Sequence, residues 1–259
     1  MTLTHLTLLC LLFVWLMGAS RIFPGVALWM LFGRRTMAPG EARERLEAMA
    51  ARAGVAVREI LVAQDHAWDG PLGGWLFGLT GRTYRVVLSQ AAAARREIGE
   101  AIFAHELGHA RRNHARFQGL LMLAAFLGLL GIVSATDQVL GRWSLAAGAF
   151  SLLSLSPAMT GVMRRFEREA DLFAANLVGS ASYIEALQAA QAAWPHSVLP
   201  AWLRNHPSVE DRADHILACE RSPDHRDRFE RSCGCARRAI AAFCAAGAMT
   251  LAVLLAMGV

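Results

Sequence analysis

The sequence predicts a mainly α-helical chain with a small β-sheet, in which a polar, motif-bearing region is combined with transmembrane helices. Three observations carry that prediction. The 259 residues are 55% hydrophobic with a mean hydropathy of +0.34, too apolar for an ordinary water-soluble domain. The apolar residues come in blocks: Phe117 to Thr136 carries no charge over 20 residues, and Trp143 to Met163 and Ala239 to Val259 none over 21 each. Each block is long enough to cross about 30 Å of hydrocarbon as a helix. Between the blocks the apolar residues recur mostly at helical spacing, while Thr83 to Ser89 has the β-branched and aromatic residues of a short strand.

The elements follow in order. Thr2 to Ser20 is uncharged and ends at Arg21, so it can span once; Ile22 to Gly33 is short and contains Pro24. One long kinked helix, or a span followed by an interfacial segment, both fit. No basic residue precedes the apolar run, which argues against a cleaved signal peptide. Gly40 to Gly54 reads as an amphipathic helix with its stripe at Leu46, Met49 and Ala50, closed by a glycine. The run Asp69 to Gly74 reads as a glycine-rich turn or connector. The strand Thr83 to Ser89 offers backbone groups that can pair an extended peptide. Ser182 to Trp194 reads as a helix stopped by Pro195, and Pro200 to Cys219 as a His-Pro turn followed by a short helix. The chain divides into a membrane segment at 1–33, a first polar part at 34–116, a membrane hairpin at 117–163, a second polar part at 164–238 and a last span at 239–259.

The run His105-Glu106-Leu107-Gly108-His109 carries the chemistry. Apolar residues at Ile98, Ala101, Ile102 and Leu107, with no proline from Ala91 to Phe117, predict a helix here. Residues four apart share a helix face, so both imidazoles can bind one ion, with the Glu106 carboxylate beside them. Catalytic zinc takes three protein ligands and keeps a fourth position open. The third is best sought in Arg164 to Ala175, where Glu167 and Asp171 are again four apart on a predicted helix. Glu167 can supply an oxygen, and Asp171 can accept the outer ring proton of a ligating histidine. Glu169 points roughly the other way, towards solvent.

HELGH, then FEREAD, then Asn205-His206-Pro207-Ser208-Val209-Glu210-Asp211-Arg212 resembles the membrane zinc metallopeptidases that include the HtpX-type protease and the CAAX prenyl endopeptidase. That family has HExxH, a later ExxxD and a His-Pro element in the same order, and the resemblance runs from about Arg82 to Ile216. It implies a zincin-like catalytic domain with one zinc per chain on His105, His109 and Glu167. It further implies proton transfer by Glu106, support of a ligand by Asp171, and a place near the active site for His206. This chain departs from the family at Gly73-Gly74-Trp75-Leu76-Phe77-Gly78, where an Asn-Ala-Phe-like segment is usual.

These residues permit peptide-bond hydrolysis. Zinc brings the pKa of bound water towards neutrality, and Glu106 can take that proton and pass it to the leaving amine. An oxyanion donor is also needed; the resemblance favours His206, with Arg212 and Tyr84 behind it. The expected substrates are proteins or peptides, membrane proteins among them.

All 26 basic residues are arginine. The pairs Arg34-Arg35, Arg111-Arg112, Arg164-Arg165 and Arg237-Arg238 flank the apolar blocks on the motif-bearing side, while the Asp137 to Arg142 connector holds a single arginine. Positive residues stay cytoplasmic, so the motifs are expected in the cytoplasm of a bacterial cell and the connector outside. The net charge of +5 is then an attraction to the anionic lipid bilayer. With no base-stacking platform or groove-reading motif, nucleic acid is not an expected partner. Five cysteines make no disulfide framework in a reducing compartment; Cys233-Gly234-Cys235 has no partners for a metal site, and His114, His215 and His225 lack matching spacing. A silent membrane scaffold or assembly factor, or a protease with one regulatory substrate, are the competing readings. The intact Glu106 opposes the scaffold, and the six-residue connector leaves no room for an external sensor domain.

Overall fold

The computed structural model describes residues 35–63, 72–193 and 206–256, with the side chains of 35, 129–140, 142, 144, 145, 147–149, 152, 153, 250, 251 and 253–256 outside that description. The expected segment at 1–33 lies outside the described residues, as do Asp69 to Pro71 and Asn205. The fold is mainly helical with one four-stranded sheet, in the order β1 (Arg35–Met37), α1 (Gly40–Arg52), β2 (Glu59–Ala63), β3 (Gly74–Phe77), β4 (Arg85–Ser89), α2 (Gln90–Ala94) and α3 (Arg96–Arg111). There follow α4 (His114–Leu140), a 3-10 turn at Gly141–Trp143, α5 (Ser144–Val178), α6 (Ser180–Ala193), α7 (Val209–Arg221) and α8 (Pro223–Ala256).

The first helix forms where its stripe predicts: Leu46, Met49 and Ala50 are buried, and Gly54 closes the turn at φ 63°, a backbone state that glycine adopts at little cost. The sheet order is β1-β2-β4-β3, with β2 and β4 parallel and β3 antiparallel to β4. Ile60, Val62, Val86 and Leu88 face one way and join Phe103, Ala104 and Leu107 of α3 with Leu172 and Tyr183 in the main core. Leu61, Ala63, Phe77 and Val87 face the other way in a smaller cluster. This topology corrects one expectation. β4, the strand read as a peptide partner, is paired on both sides, and the edge strands are β1 and β3.

Two features of the helices bear on the site. The histidine helix does not run on into the first apolar block: Asn113, at φ 56°, ends α3 and starts α4 in a new direction. The second apolar block and the Glu167 segment are, by contrast, one continuous 35-residue helix with Pro157 inside it. Gly179, at φ 93°, then turns the chain so that α6 folds back beside α5. Serines cap the short helices: Ser89 Oγ accepts from the Ala92 N–H and Ser208 Oγ from the Asp211 N–H, each worth about 1 kcal/mol. Along the apolar blocks α4 packs against α5 and α8, and Gly247 of α8 lies against Leu127 of α4. Among the described residues no helix is long and apolar enough to cross a membrane.

Candidate metal centre

Small residues let two helices meet at the centre. Gly108 of α3 lies over the backbone of α5: a Cβ added there would stand 2.9 Å from Ala170 Cα and 3.0 Å from its carbonyl oxygen. The close crossing brings His105 and His109, one turn apart on α3, to face Glu167 of α5. The two imidazole Nε2 atoms are 3.1 Å apart. Glu167 Oε2 is 3.4 Å from His105 Nε2, and Oε1 is 3.5 Å from His109 Nε2.

Those spacings suit a metal ion. Zinc bonds of about 2.0–2.2 Å to nitrogen and oxygen put tetrahedral ligand atoms about 3.3–3.6 Å apart. The Glu167 Oε2 atom is buried and lies between His105 Nε2 and His206 Nδ1, where an ion in the triangle would also reach it. Three donors in mutual reach on His105, His109 and Glu167 could hold a metal ion.

Each imidazole is held from behind. His105 Nδ1 is 3.1 Å from Asp171 Oδ1 and 2.9 Å from the Tyr183 hydroxyl, which itself donates to Asp171 at 2.7 Å. Arg212 donates to both Asp171 oxygens, at 2.8 Å and 2.5 Å. Asp171 is 0% exposed; burial opposes its charge, but Arg212 and His105 hold its carboxyl well below the usual carboxylate range. Because an ionised carboxylate only accepts, Asp171 holds a proton on His105 Nδ1 and leaves Nε2 as the ring's metal-binding atom; burial opposes charge on this ring, but Asp171 and Glu167 raise its pKa to about 10, so an ion in the triangle would displace the Nε2 proton.

On the other side His109 Nδ1 is 2.9 Å from His114 Nδ1, and His114 Nε2 is 2.9 Å from Glu169 Oε2. Arg237 pairs with the same carboxylate, and Arg112 lies 3.4 Å from its other oxygen. Burial disfavours the charge on Glu169, yet His114 and Arg237 bring its pKa down to about 2. Glu169 therefore fixes a proton on His114 Nε2, which leaves His114 Nδ1 to accept from His109 Nδ1–H and frees His109 Nε2. Burial also keeps His109 neutral, well below its ordinary value.

The remaining residues divide clearly. Glu106 is buried beside the triangle, accepts from the Leu76 N–H of β3, and has its pKa raised by burial. His206 is exposed, with Nδ1 2.8 Å from Glu167 Oε2, and that carboxylate raises its pKa. Arg212 is committed to Asp171, and the Tyr84 hydroxyl donates to the Ala110 carbonyl in the core, so neither faces the triangle as an oxyanion donor. Two expectations are corrected: Glu169 is 4% exposed and not in solvent, and His114, five residues past His109, lies against it. Helical geometry does not carry across Asn113, so spacing alone hid that contact.

Comparison with known proteins places these features. A model of peptidase family M48 matches residues 40–220. The CAAX prenyl protease 1 homolog of Dictyostelium discoideum is 29% identical over 169 residues, which are 57% of this chain and 39% of that protein. The crystal structure of S. mikatae Ste24p has a similar fold, with a TM-score of 0.61 at 21% identity, covering 78% of this chain and 55% of that one. The chain thus spans well under two thirds of each relative.

Proposed function

The chain belongs to peptidase family M48, and from that premise we propose that it is a membrane-embedded, gluzincin-type zinc endopeptidase. It hydrolyses peptide bonds of protein substrates, membrane proteins among them, at the cytoplasmic face of the bilayer, in membrane-protein quality control. The observation that carries this reading is the triangle of His105, His109 and Glu167 with the buried Glu106 carboxylate at its side and the outer edge of β3 next to it.

Zinc held by His105, His109 and Glu167 would supply Lewis acidity to water and to the scissile carbonyl. Glu106, kept basic enough by burial, takes a proton from the water and delivers it to the leaving nitrogen. The Leu76 N–H orients that carboxylate. His206, exposed at the rim with its pKa raised by Glu167, donates to the oxygen on which negative charge builds. The outer edge of β3, beside the Leu76 N–H that Glu106 takes, pairs the substrate backbone, which gives affinity with little demand on sequence.

Features of the long helices support the membrane. Leu123, Trp143, Phe150, Leu155, Phe243 and Met249 are exposed large apolar residues on α4, α5, α8 and the turn between α4 and α5, a surface suited to lipid. The 1–33 and 239–259 segments and the hairpin at 117–163 are the proposed spans.

The test is Glu106→Gln in the detergent-purified full chain. Casein hydrolysis should fall about 10²–10⁴-fold with metal content at the active site unchanged. Undiminished turnover would remove Glu106 from the reaction and with it the proposed chemistry.

A further inference from the structure

A second group of metal-binding side chains stands apart from the triangle, at the turn between α7 and α8. His215 and Cys219 are one helical turn apart on α7, and His225 is in the first turn of α8. Cys219 Sγ lies 3.7 Å from His215 Nε2, and one donor atom from each of the three residues falls within 4.8 Å of the others. For a tetrahedral ion with bonds of about 2.3 Å to sulfur and 2.0–2.1 Å to nitrogen, the sulfur–nitrogen spacing is about 3.6 Å. That pair is already set for an ion, and His225 needs only a small ring movement to close the third side.

The surroundings hold the group in place. The Ser222 hydroxyl and carbonyl both accept from the His225 N–H, at 3.2 and 3.1 Å, which fixes the turn. The Phe229 ring packs against His215 with centroids 4.3 Å apart. Cys219 is buried, while His225 is partly exposed and leaves a way in from solvent.

We propose that His215, Cys219 and His225 form a second metal site, which binds a zinc-class transition-metal ion with water as fourth ligand and staples α7 to α8. Two imidazoles and a thiolate suit such an ion and not calcium or magnesium, which take oxygen. Binding forms one metal–sulfur and two metal–nitrogen bonds and releases the thiol proton to solvent. Arg212, His215 and Cys219 lie at i, i+3 and i+7 on one face of α7. The staple would add to the ties of a helix already held at Arg212 by its two bonds to Asp171.

The test is cobalt(II) titration of the metal-stripped full chain in detergent, read by absorption. The chain should take two equivalents, one of them bringing a near-ultraviolet thiolate-to-metal band. Cys219→Ser and, separately, His225→Gln should each reduce uptake from two equivalents to one and remove the band, with casein hydrolysis retained. His105→Ala combined with His109→Ala should lose the other equivalent and keep the band, and Glu167→Gln serves if that variant does not fold. A single equivalent without the band in the unsubstituted chain would overturn the second site and leave the catalytic reading intact. A band that survives Cys219→Ser would overturn it as well, since the thiolate would then be another.

Discussion

At the scale of the residue, both ligand imidazoles end in a buried carboxylate held by an arginine: Asp171 with Arg212 behind His105, and Glu169 with Arg237 behind His114 and His109. Outer partners of this kind usually govern metal affinity by 10–100-fold. Asp171→Asn and His114→Phe should therefore each weaken zinc binding by about that factor in a chelator competition, the second while keeping the stack on Phe166. The acid side gives a further prediction. The Glu169 pKa is depressed from an ordinary 4.5 to about 2, so the folded state releases its proton more readily than the unfolded chain. Its stabilisation is full above about pH 4.5 and is lost as pH falls towards about 2. Chemical denaturation of Glu169→Gln should show a shallower loss of stability across that window than the unsubstituted chain; parallel curves would remove Glu169 from the acid transition. The triangle itself was legible in the sequence because a spacing of four is a local, helical quantity. The His114 and Glu169 pair was not, because it depends on the left-handed Asn113 and on α8 bringing Arg237 across α5.

At the scale of the element, the centre depends on how closely α3 and α5 cross. A methyl at position 108 meets the backbone of Ala170, not the tip of a flexible side chain, so the helices must part. Gly108→Ala should cost about 1–3 kcal/mol in denaturant unfolding and lower zinc affinity, since the His105 and His109 donors then retreat from Glu167. Ala170→Gly should not rescue it, because the nearest atoms, Cα and the carbonyl oxygen, remain; full rescue would mean that the Ala170 methyl sets the spacing. Helices α1, α3 and α7 could be read ahead from stripes, caps and glycine or proline stops. Strand β3 could not: four residues, Gly74 to Phe77, behind a glycine-rich run have no periodicity to show. Their place at the sheet edge comes from pairing with β4, from Phe77 with Arg85 to Gly74 with Leu88, which no pattern within β3 itself encodes.

At the scale of the whole molecule, the helix that carries Glu167 is also the proposed return limb through the bilayer. Glu167 follows Met163, the last residue of an uncharged block, by four residues, about 6 Å along the axis. Arg164 and Arg165 lie between them, and Arg237 and Arg238 precede the C-terminal block. The composition alone suggests this arrangement, since uncharged blocks edged by arginine need no tertiary contact to be seen. If those arginines sit on the cytoplasmic side, the centre lies there within a turn or two of the headgroups, and the Asp137 to Arg142 connector lies opposite. An Asp137→Cys chain in sealed right-side-out vesicles should then react with a membrane-impermeant maleimide beyond the background of the unsubstituted chain. A Glu210→Cys chain, altered at an exposed position near His206, should stay at background until the vesicles are opened. The reverse pattern would put the peptidase centre outside the cell, where cytoplasmic segments of membrane proteins are beyond its reach. Labelling of both in closed vesicles would mean that the two blocks do not form a hairpin across the bilayer.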